Sequence, residues 1–323
     1  MKRVFYAASV MLAVLMMGAL LWGVAIEPYR LDRHNITARL PGLPEQWQGE
    51  KIALIADFQV GMWMDNSTIL TEVAETLTEI KPAAVLIGGD FIYSPVDEAS
   101  VREAREELDD DDRQEVLTAL DKALDRLSPV FDSGIPVYAV LGNHDYAMGS
   151  PKDARLDFMA REVRQRVEVR GGVVLQNRAI AMADDEAGRA LYLVGVGSRY
   201  AGRDNVDQAF EGLEDDAPRI VMAHNPDTFP KFPARSAPLV LSGHTHGGQV
   251  RLPGLPEWSW MGLTTPGEAH VDGWVKESFG AQGNRLYVNR GIGFSYVPLR
   301  INAPPELTVV TLERAEVVDK KAN

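Results

Sequence analysis

Five short apolar runs in this chain each end on residues able to hold a cation, and that repetition limits the fold more than any other feature. Ile52-Ala-Leu-Ile-Ala-Asp-Phe-Gln59 stops at Asp57 and Gln59, and Ala84-Val-Leu-Ile-Gly-Gly-Asp90 stops at Asp90. Val137-Tyr-Ala-Val-Leu-Gly-Asn-His-Asp145 brings Asn143, His144 and Asp145, and Arg219-Ile-Val-Met-Ala-His-Asn-Pro226 carries His224. The fifth, Pro238 to Leu241, runs into Ser-Gly-His-Thr-His-Gly-Gly-Gln249. Short apolar runs of this kind read as strands buried on both faces, and α/β sheets bind ligands just past such strand ends. Alternate side chains of an extended segment point the same way, so His244 and His246 can reach one point. Gly243, Gly247 and Gly248 let the backbone turn sharply and come close to a ligand. Aspartate together with imidazole suits divalent first-row metals.

In order, Asp57-x-Gln59, Gly89-Asp90, Gly142-Asn-His-Asp145, His224 and Gly243-His-Thr-His246 resemble the five blocks of the calcineurin-like metallophosphoesterases. The resemblance runs from about residue 50 to about residue 312. Asn289-Arg-Gly-Ile-Gly293 and the Gly-Gly-Gln after the last histidine pair resemble the membrane-associated bacterial branch of that family. The resemblance implies an α/β fold, a four-layer αββα sandwich of two mixed β-sheets flanked by helices. It implies two divalent ions, with Asp90 between them, Asp57, Gln59 and His246 on the first, and Asn143, His224 and His244 on the second. Mn²⁺ is the expected metal, with Mg²⁺, Zn²⁺, Fe or Ni²⁺ as alternatives. The implied reaction is phosphoester hydrolysis by a hydroxide that the metal pair activates, with His144 as the catalytic residue that protonates the leaving oxygen or stabilises the transition state.

Two positions depart from the pattern. Gln59 stands where the family usually has histidine. Its neutral amide oxygen is a harder, weaker donor than imidazole, so the first site should bind more weakly and favour Mn²⁺ or Mg²⁺. Tyr93 stands where some members place an aspartate that orients the catalytic histidine. That argues against a protein-serine/threonine phosphatase and leaves the orienter of His144 open, with Asp145 a candidate.

The N-terminus is a separate unit. Lys2-Arg3 precede a stretch without charge from Val4 to Ile26. As a helix it spans about 34 Å, enough for a bilayer core of ~30 Å. A cleavable signal usually has an apolar region of only ~7–15 residues, although Gly23-Val-Ala25 would pass as a cleavage site. The expected order is an anchor or signal at 1–26, a connector at 27–48 broken by Pro28, Pro41 and Pro44, a catalytic domain at 49–314 and a tail at 315–323. Lys2 and Arg3 favour a single-pass inner-membrane protein with its domain outside the cytoplasm. Arg30, Arg33 and Arg39 weaken that bias, so the cytoplasmic side stays open.

A formal net charge of −13 argues against nucleic acid as partner, because phosphate backbones need a basic surface. The absence of cysteine removes disulfides, thiolate metal sites and a lipidated-Cys anchor. The expected partners are the membrane, through the N-terminal helix, and a phosphoester, with a lipid as the simplest guess for an anchored enzyme. Asp65 is not read as a ligand: it belongs to Asp65-Asn-Ser-Thr68, which reads as the N-cap of an amphipathic helix reaching about Ile80. The acidic block Glu106 to Asp112 reads as a solvated loop leading to a helix at about 113–127, and Asp184-Asp-Glu186 as a hairpin turn. A further helix is expected at about 153–167. Met62, Trp63 and Met64 read either as an exposed apolar lip or as packing over the site loop. Trp258, Trp260, Met261 and Trp274 suit either a satellite apolar cluster or a membrane interface. The leading function is hydrolysis of a phosphodiester or pyrophosphate of a lipid or envelope component. The alternatives are a phosphomonoesterase and a non-catalytic metal-binding envelope module.

Overall fold

The computed structural model describes residues 2–93, 110–184, 189–252, 255–264 and 270–315. It opens with α1 (Lys2–Ala25), an exposed apolar helix in which Gly23 alone is buried. The first sheet has the order β1 (Asp32–Leu40), β14 (Glu306–Arg314), β2 (Lys51–Ile55), β3 (Ala84–Ile87), β4 (Val137–Ala139) and β5 (Val173–Val174). The second has the order β12 (Gly273–Trp274), β13 (Leu286–Val288), β9 (Val240–Ser242), β8 (Arg219–Ala223), β7 (Ala190–Val196) and β6 (Arg178–Asp184). Both are mixed: β2 to β5 run parallel and β14 antiparallel to β2, while β13, β9, β8 and β7 run parallel between two antiparallel edges.

Residue alternation explains the layers. Ile52, Leu54, Ala84 and Leu86 face inward and meet Leu193, Ile220, Met222 and Leu241 of the other sheet. Ala53, Ile55, Val85 and Ile87 face outward onto α2 (Ile69–Ile80), α3 (Asp110–Arg126) and α4 (Asp157–Val169). A strand covered on both faces needs no polar side, which is why these runs are continuously apolar. The outer face of the second sheet, Val194, Val221 and Val288 among others, is covered by Phe229 of the 3₁₀ segment Pro226–Lys231, by Phe232 just after it and by a short helix at Val206–Ala209. The fold is therefore helix, sheet, sheet, helix, with a thin fourth layer.

Residues 32–40 form β1, inside the segment expected to be a connector. Ile36, Ala38 and Leu40 are buried while Thr37 and Arg39 are exposed, and the strand pairs along all of β14. Its period-two signal spans only those few residues and is interrupted upstream by Arg33, His34 and Asn35, so the sequence alone did not mark it. Asp65 accepts the Ser67 N–H at 3.0 Å in the turn before α2, whose N-cap residue is Thr68. The acidic block begins outside the described residues (Glu106 to Asp109), and Asp111 and Asp112 stand in the first turn of α3, where the helix dipole favours them. β6 and β7 pair as the expected hairpin, with Asp185 and Glu186 outside the described residues.

Because β1 runs parallel to β14, and β14 antiparallel to β2, β1 starts at the end of the sandwich where β2, β3 and β4 finish. The apolar helix therefore enters the domain at the end that carries the ligand-type residues.

Candidate active site

The site is assembled by strand ends from both sheets. Asp57 follows β2, Asp90 follows β3, and Asn143 and His144 follow β4. From the second sheet, His224 follows β8, and His244 and His246 follow β9. Asp57, Gln59, Asp90, Asn143, His224 and His246 are buried, and His244 is half-buried. Asp57, Gln59, Asp90, His244 and His246 all have positive φ, between 44° and 76°. A non-glycine residue held there costs on the order of 1–3 kcal/mol and persists only where surroundings force it. The forcing contacts run across the sheets and between neighbouring loops of the first. Both carboxylate oxygens of Asp57 accept the His244 N–H, at 2.9 and 3.0 Å. His224 Nδ1 lies 2.8 Å from the Gly88 carbonyl. Asp90 Oδ1 accepts the His144 N–H at 2.8 Å.

Small residues make room for this convergence. A Cβ on Gly142 would meet Asp90 and His224, and one on Gly243 or Gly291 would meet the Asp57 carboxylate. Gly291 belongs to Asn289–Gly293, so that motif forms a wall of the site.

Ligand atoms of Asp90, His224 and His244 lie within 4.8 Å of one another. His224 Nε2 is 3.0 Å from Asp90 Oδ2 but outside hydrogen-bonding geometry, and His244 Nδ1 and Gln59 Oε1 are buried without a hydrogen-bond partner. Buried polar atoms are almost always paired, so three unmet atoms around one carboxylate fit a cation that they would share. The Gln59 amide places its nitrogen 3.0 Å from His246 Nε2 and 3.3 Å from Asp90 Oδ2. A half-turn of that amide would present the oxygen instead. Asn143 donates to the Met148 carbonyl at 2.7 Å, and its Oδ1 faces Asn225 Nδ2 at 3.3 Å.

The electrostatics agree. Burial raises the Asp57 carboxyl to about 7, with Asp90 adding to the effect. Burial also works against charge on Asp90, but His224 and His144 outweigh it and hold that carboxyl below its usual range. Burial opposes charge on His224 as well, yet Asp90 and Asp57 raise it to about 9. His244 is lowered to about 3 by burial and by His224, and His246 is lowered by burial and by Arg300. The buried Asp90 and Asp57 carboxylates thus favour positive charge beside them, here met by the His224 proton, which a bound cation would have to replace.

His144 stacks on Tyr93, with ring centroids 5.4 Å apart at 22°. Tyr93, at the position where the resemblance led us to look for an orienting aspartate, thus presents a ring face to His144. Asp145 does not orient His144. Its Oδ2 accepts the N–H of Asp90 at 3.0 Å and of Gly142 at 2.8 Å, and its Oδ1 accepts those of Phe91 at 2.8 Å and Ile92 at 3.4 Å. It ties the loop after β3 to the loop after β4, because its strand end leaves it facing inward between them.

Two contributors had no signal in the sequence. Asn225 accepts from Ser198 Oγ at 3.1 Å and from the Arg199 N–H at 3.0 Å. That holds the segment whose Tyr200 ring meets His244 edge-on at 4.6 Å. Arg300 is fully buried and donates to the carbonyls of Gly293 at 2.9 Å, Ala303 at 2.8 Å and Arg290 at 3.0 Å, fixing the 290–293 wall.

The calcineurin-like phosphoesterase family model matches residues 50–248. The chain is 31% identical over 265 residues to "Phosphodiesterase YaeI" of Escherichia coli (strain K12), covering 81% of this chain and 82% of that protein. It is 25% identical over 292 residues to "Uncharacterized metallophosphoesterase YkuE" of Bacillus subtilis (strain 168), covering 89% and 87%. It is 23% identical over 354 residues to "UDP-2,3-diacylglucosamine pyrophosphatase LpxG" of Chlamydia muridarum (strain MoPn / Nigg), covering 95% and 98%.

Proposed function

The chain belongs to the calcineurin-like phosphoesterase family, and from that premise we propose that it hydrolyses a phosphodiester or pyrophosphate of a lipid or envelope component while anchored in a membrane by α1. The family is one of hydrolases that use two divalent metal ions, with a phosphoester as substrate. The observation that carries the reading is the convergence of Asp90, His224 and His244 with unmet buried atoms at the ends of strands from both sheets. Asp57, Gln59 and His246 would hold one ion and Asn143, His224 and His244 the other, with Asp90 shared; Mn²⁺ suits a set that includes two amide oxygens. When bound, such a pair polarises a phosphoryl oxygen and lowers the pKa of water at the site.

The chain's own residues supply the rest. The Asp57 and Asp90 carboxylates are aimed by the backbone N–H groups of His244 and His144, so their positions are set before substrate arrives. Tyr93 holds the plane of His144, which gives its proton to the leaving oxygen. Gly291 and the carbonyl clamp of Arg300 close the site behind Asp57.

Support for a lipid-borne substrate comes from α1, long and apolar enough to cross a bilayer, and from relatives named for phosphodiesterase and diacylglucosamine pyrophosphatase activity. The test uses full-length protein in detergent, stripped with chelator, with Mn²⁺, Mg²⁺, Zn²⁺ or Ni²⁺ returned singly. Metal-dependent turnover of a chromogenic phosphodiester, lost in Asn143→Ala and His144→Ala, is expected. Preference for the monoester analogue would overturn the diester reading.

A further inference from the structure

The apolar helix is not joined to the domain by a free tether. Gly23 packs so closely that a Cβ there would meet Leu299 and Ile301, and its carbonyl accepts the Arg300 N–H at 2.9 Å. Buried Glu27 accepts from Trp22 Nε1 and from the Ala303 N–H, both at 2.6 Å. Asn66, also buried, donates to the Pro28 carbonyl at 2.7 Å and to the Ile292 carbonyl at 2.9 Å. The last turn of α1 and the residues after it are therefore locked to the 290–303 segment. If α1 spans a bilayer, the plane of that bilayer is set relative to the domain, just beyond Trp22 and Arg30. Arg30 lies over the Trp22 ring at 5.4 Å, a pairing suited to the headgroup level.

Among the described residues outside α1, exposed apolar side chains gather on and beside the backbone that receives it. The Ile301 N–H donates to the Gln249 carbonyl, and the Ile301 carbonyl accepts from Arg251, each at 2.9 Å. Directly beyond lie β10 (Arg251–Leu252), β11 (Leu255–Ser259) and α5 (Trp260–Thr264). Here Leu252, Trp258, Trp260 and Leu263 are 51, 52, 62 and 70% exposed. Tyr296 and Val297, beside Leu299, are 64 and 49% exposed, and Gln249 holds the Val297 carbonyl at 2.5 Å. An apolar, Trp-rich rim of this composition is costly in water and suits the boundary between headgroups and acyl chains.

The rim adjoins the candidate site. Gln249 is the third residue after His246, its amide oxygen accepts the Ser295 N–H at 2.9 Å, and Tyr296 interacts with Tyr93, which stacks on His144.

We propose that this rim is a second bilayer contact, which lays the mouth of the site on the same leaflet surface from which α1 emerges. Substrate then reaches the site from the headgroup layer and not from bulk water. The occupant is the lipid bilayer: the rim is continuous with the docked end of the only described helix able to span one. The bilayer contact rests on α1 being a membrane span; the route of the substrate rests also on the phosphoesterase reading.

The chain has no cysteine, so single cysteines can report position without background. Full-length Trp260→Cys, Leu263→Cys and Val297→Cys would carry an environment-sensitive fluorophore in phosphatidylcholine/phosphatidylglycerol vesicles. Leu15→Cys in α1 serves as the lipid reference. Val169→Cys serves as the water reference, because α4 runs back from the site end and finishes before β5 at the far end. The expected result is blue-shifted emission, quenched by brominated acyl chains, at positions 260, 263, 297 and 15 but not at 169. Water-like emission at the three rim positions with position 15 quenched would overturn the proposal. So would rim emission that shifts with protein concentration in detergent and ignores the lipid quencher, which would mean that a second copy covers the face. Water-like emission at position 15 would remove the span itself and the proposal with it. The readout is depth and not turnover, so its outcome stands apart from the success or failure of the phosphodiesterase assay.

Discussion

Two buried charged clusters lie against each other at one end of the sandwich, and they are satisfied in opposite ways. In the 289–303 segment every charge has its partners. Arg300 spreads its guanidinium over the carbonyls of Arg290, Gly291, Gly293 and Ala303, and Arg290 pairs with Asp32, Asp272 and Glu306. Glu306 in turn accepts from Tyr287 at 2.6 Å. Around Asp90 burial is just as complete, but Gln59 Oε1, His224 Nε2 and His244 Nδ1 are left without hydrogen-bond partners. The first cluster is a clamp whose charges finish one another; the second is the proposed ligand set, which a shared ion would finish. Low dielectric makes both costly to disturb, but only the second should depend on metal.

The largest expected effect is on the ligand side. Asp90→Asn should lower metal-dependent diester turnover by about 10³-fold or more, roughly 4 kcal/mol of transition-state stabilisation. Activity within tenfold of the parent would break the comparison, because Asp90 would then be one more structural acid. Next comes the clamp. Arg300→Met should cost about 3–5 kcal/mol of stability in denaturant titrations, with or without metal, since several buried carbonyls lose their donor. A loss that vanishes when metal is added would place Arg300 with the ligands instead.

Much of this was legible in the sequence, for a physical reason. Strands buried on both faces are continuously apolar, so β2, β3 and β4 announce themselves, and short polar endings after them can be read as a site. The roles of Asp145 and Arg300 were not legible. Asp145 serves backbone N–H groups from both neighbouring loops and Arg300 serves backbone carbonyls, and main-chain groups leave no mark in side-chain identity. Nor did the positive φ of Asp57, Asp90 and His246 leave one, because those positions carry the proposed ligands where a turn alone would carry glycine. The edge strand β1 and the small hairpin at 251–259 were hidden by polar or mixed composition.

Asp145→Ala tests the border between the two clusters. It should cost about 2–3 kcal/mol of stability from N–H groups left unpaired, and weaken metal affinity about 10–100-fold by freeing the loop of Asp90. Equilibrium unfolding and metal titration on the same sample separate the two effects. A stability loss with unchanged affinity would show that Asp90 is held well enough by the His144 N–H alone.

The smallest effect should come from Gln59→His, and it is the sharpest test of what makes a ligand cluster. Gln59 already sits within 3.3 Å of Asp90 and 3.0 Å of His246, so the substitution changes donor type more than position. Its backbone has φ 44°, a conformation that histidine holds at His246 in the same site, so added strain should be modest. Imidazole binds first-row metals more strongly than a neutral amide oxygen, and affinity should rise about tenfold, ~1.4 kcal/mol. The preference should also move from Mn²⁺ toward Zn²⁺ or Ni²⁺. Isothermal titration with each metal reads both. Unchanged or weaker binding would mean that the amide acts through its nitrogen, as a hydrogen-bond donor to Asp90 and His246. Gln59 would then belong with the clamp, and the first ion would have to be held by Asp57, Asp90 and His246 alone.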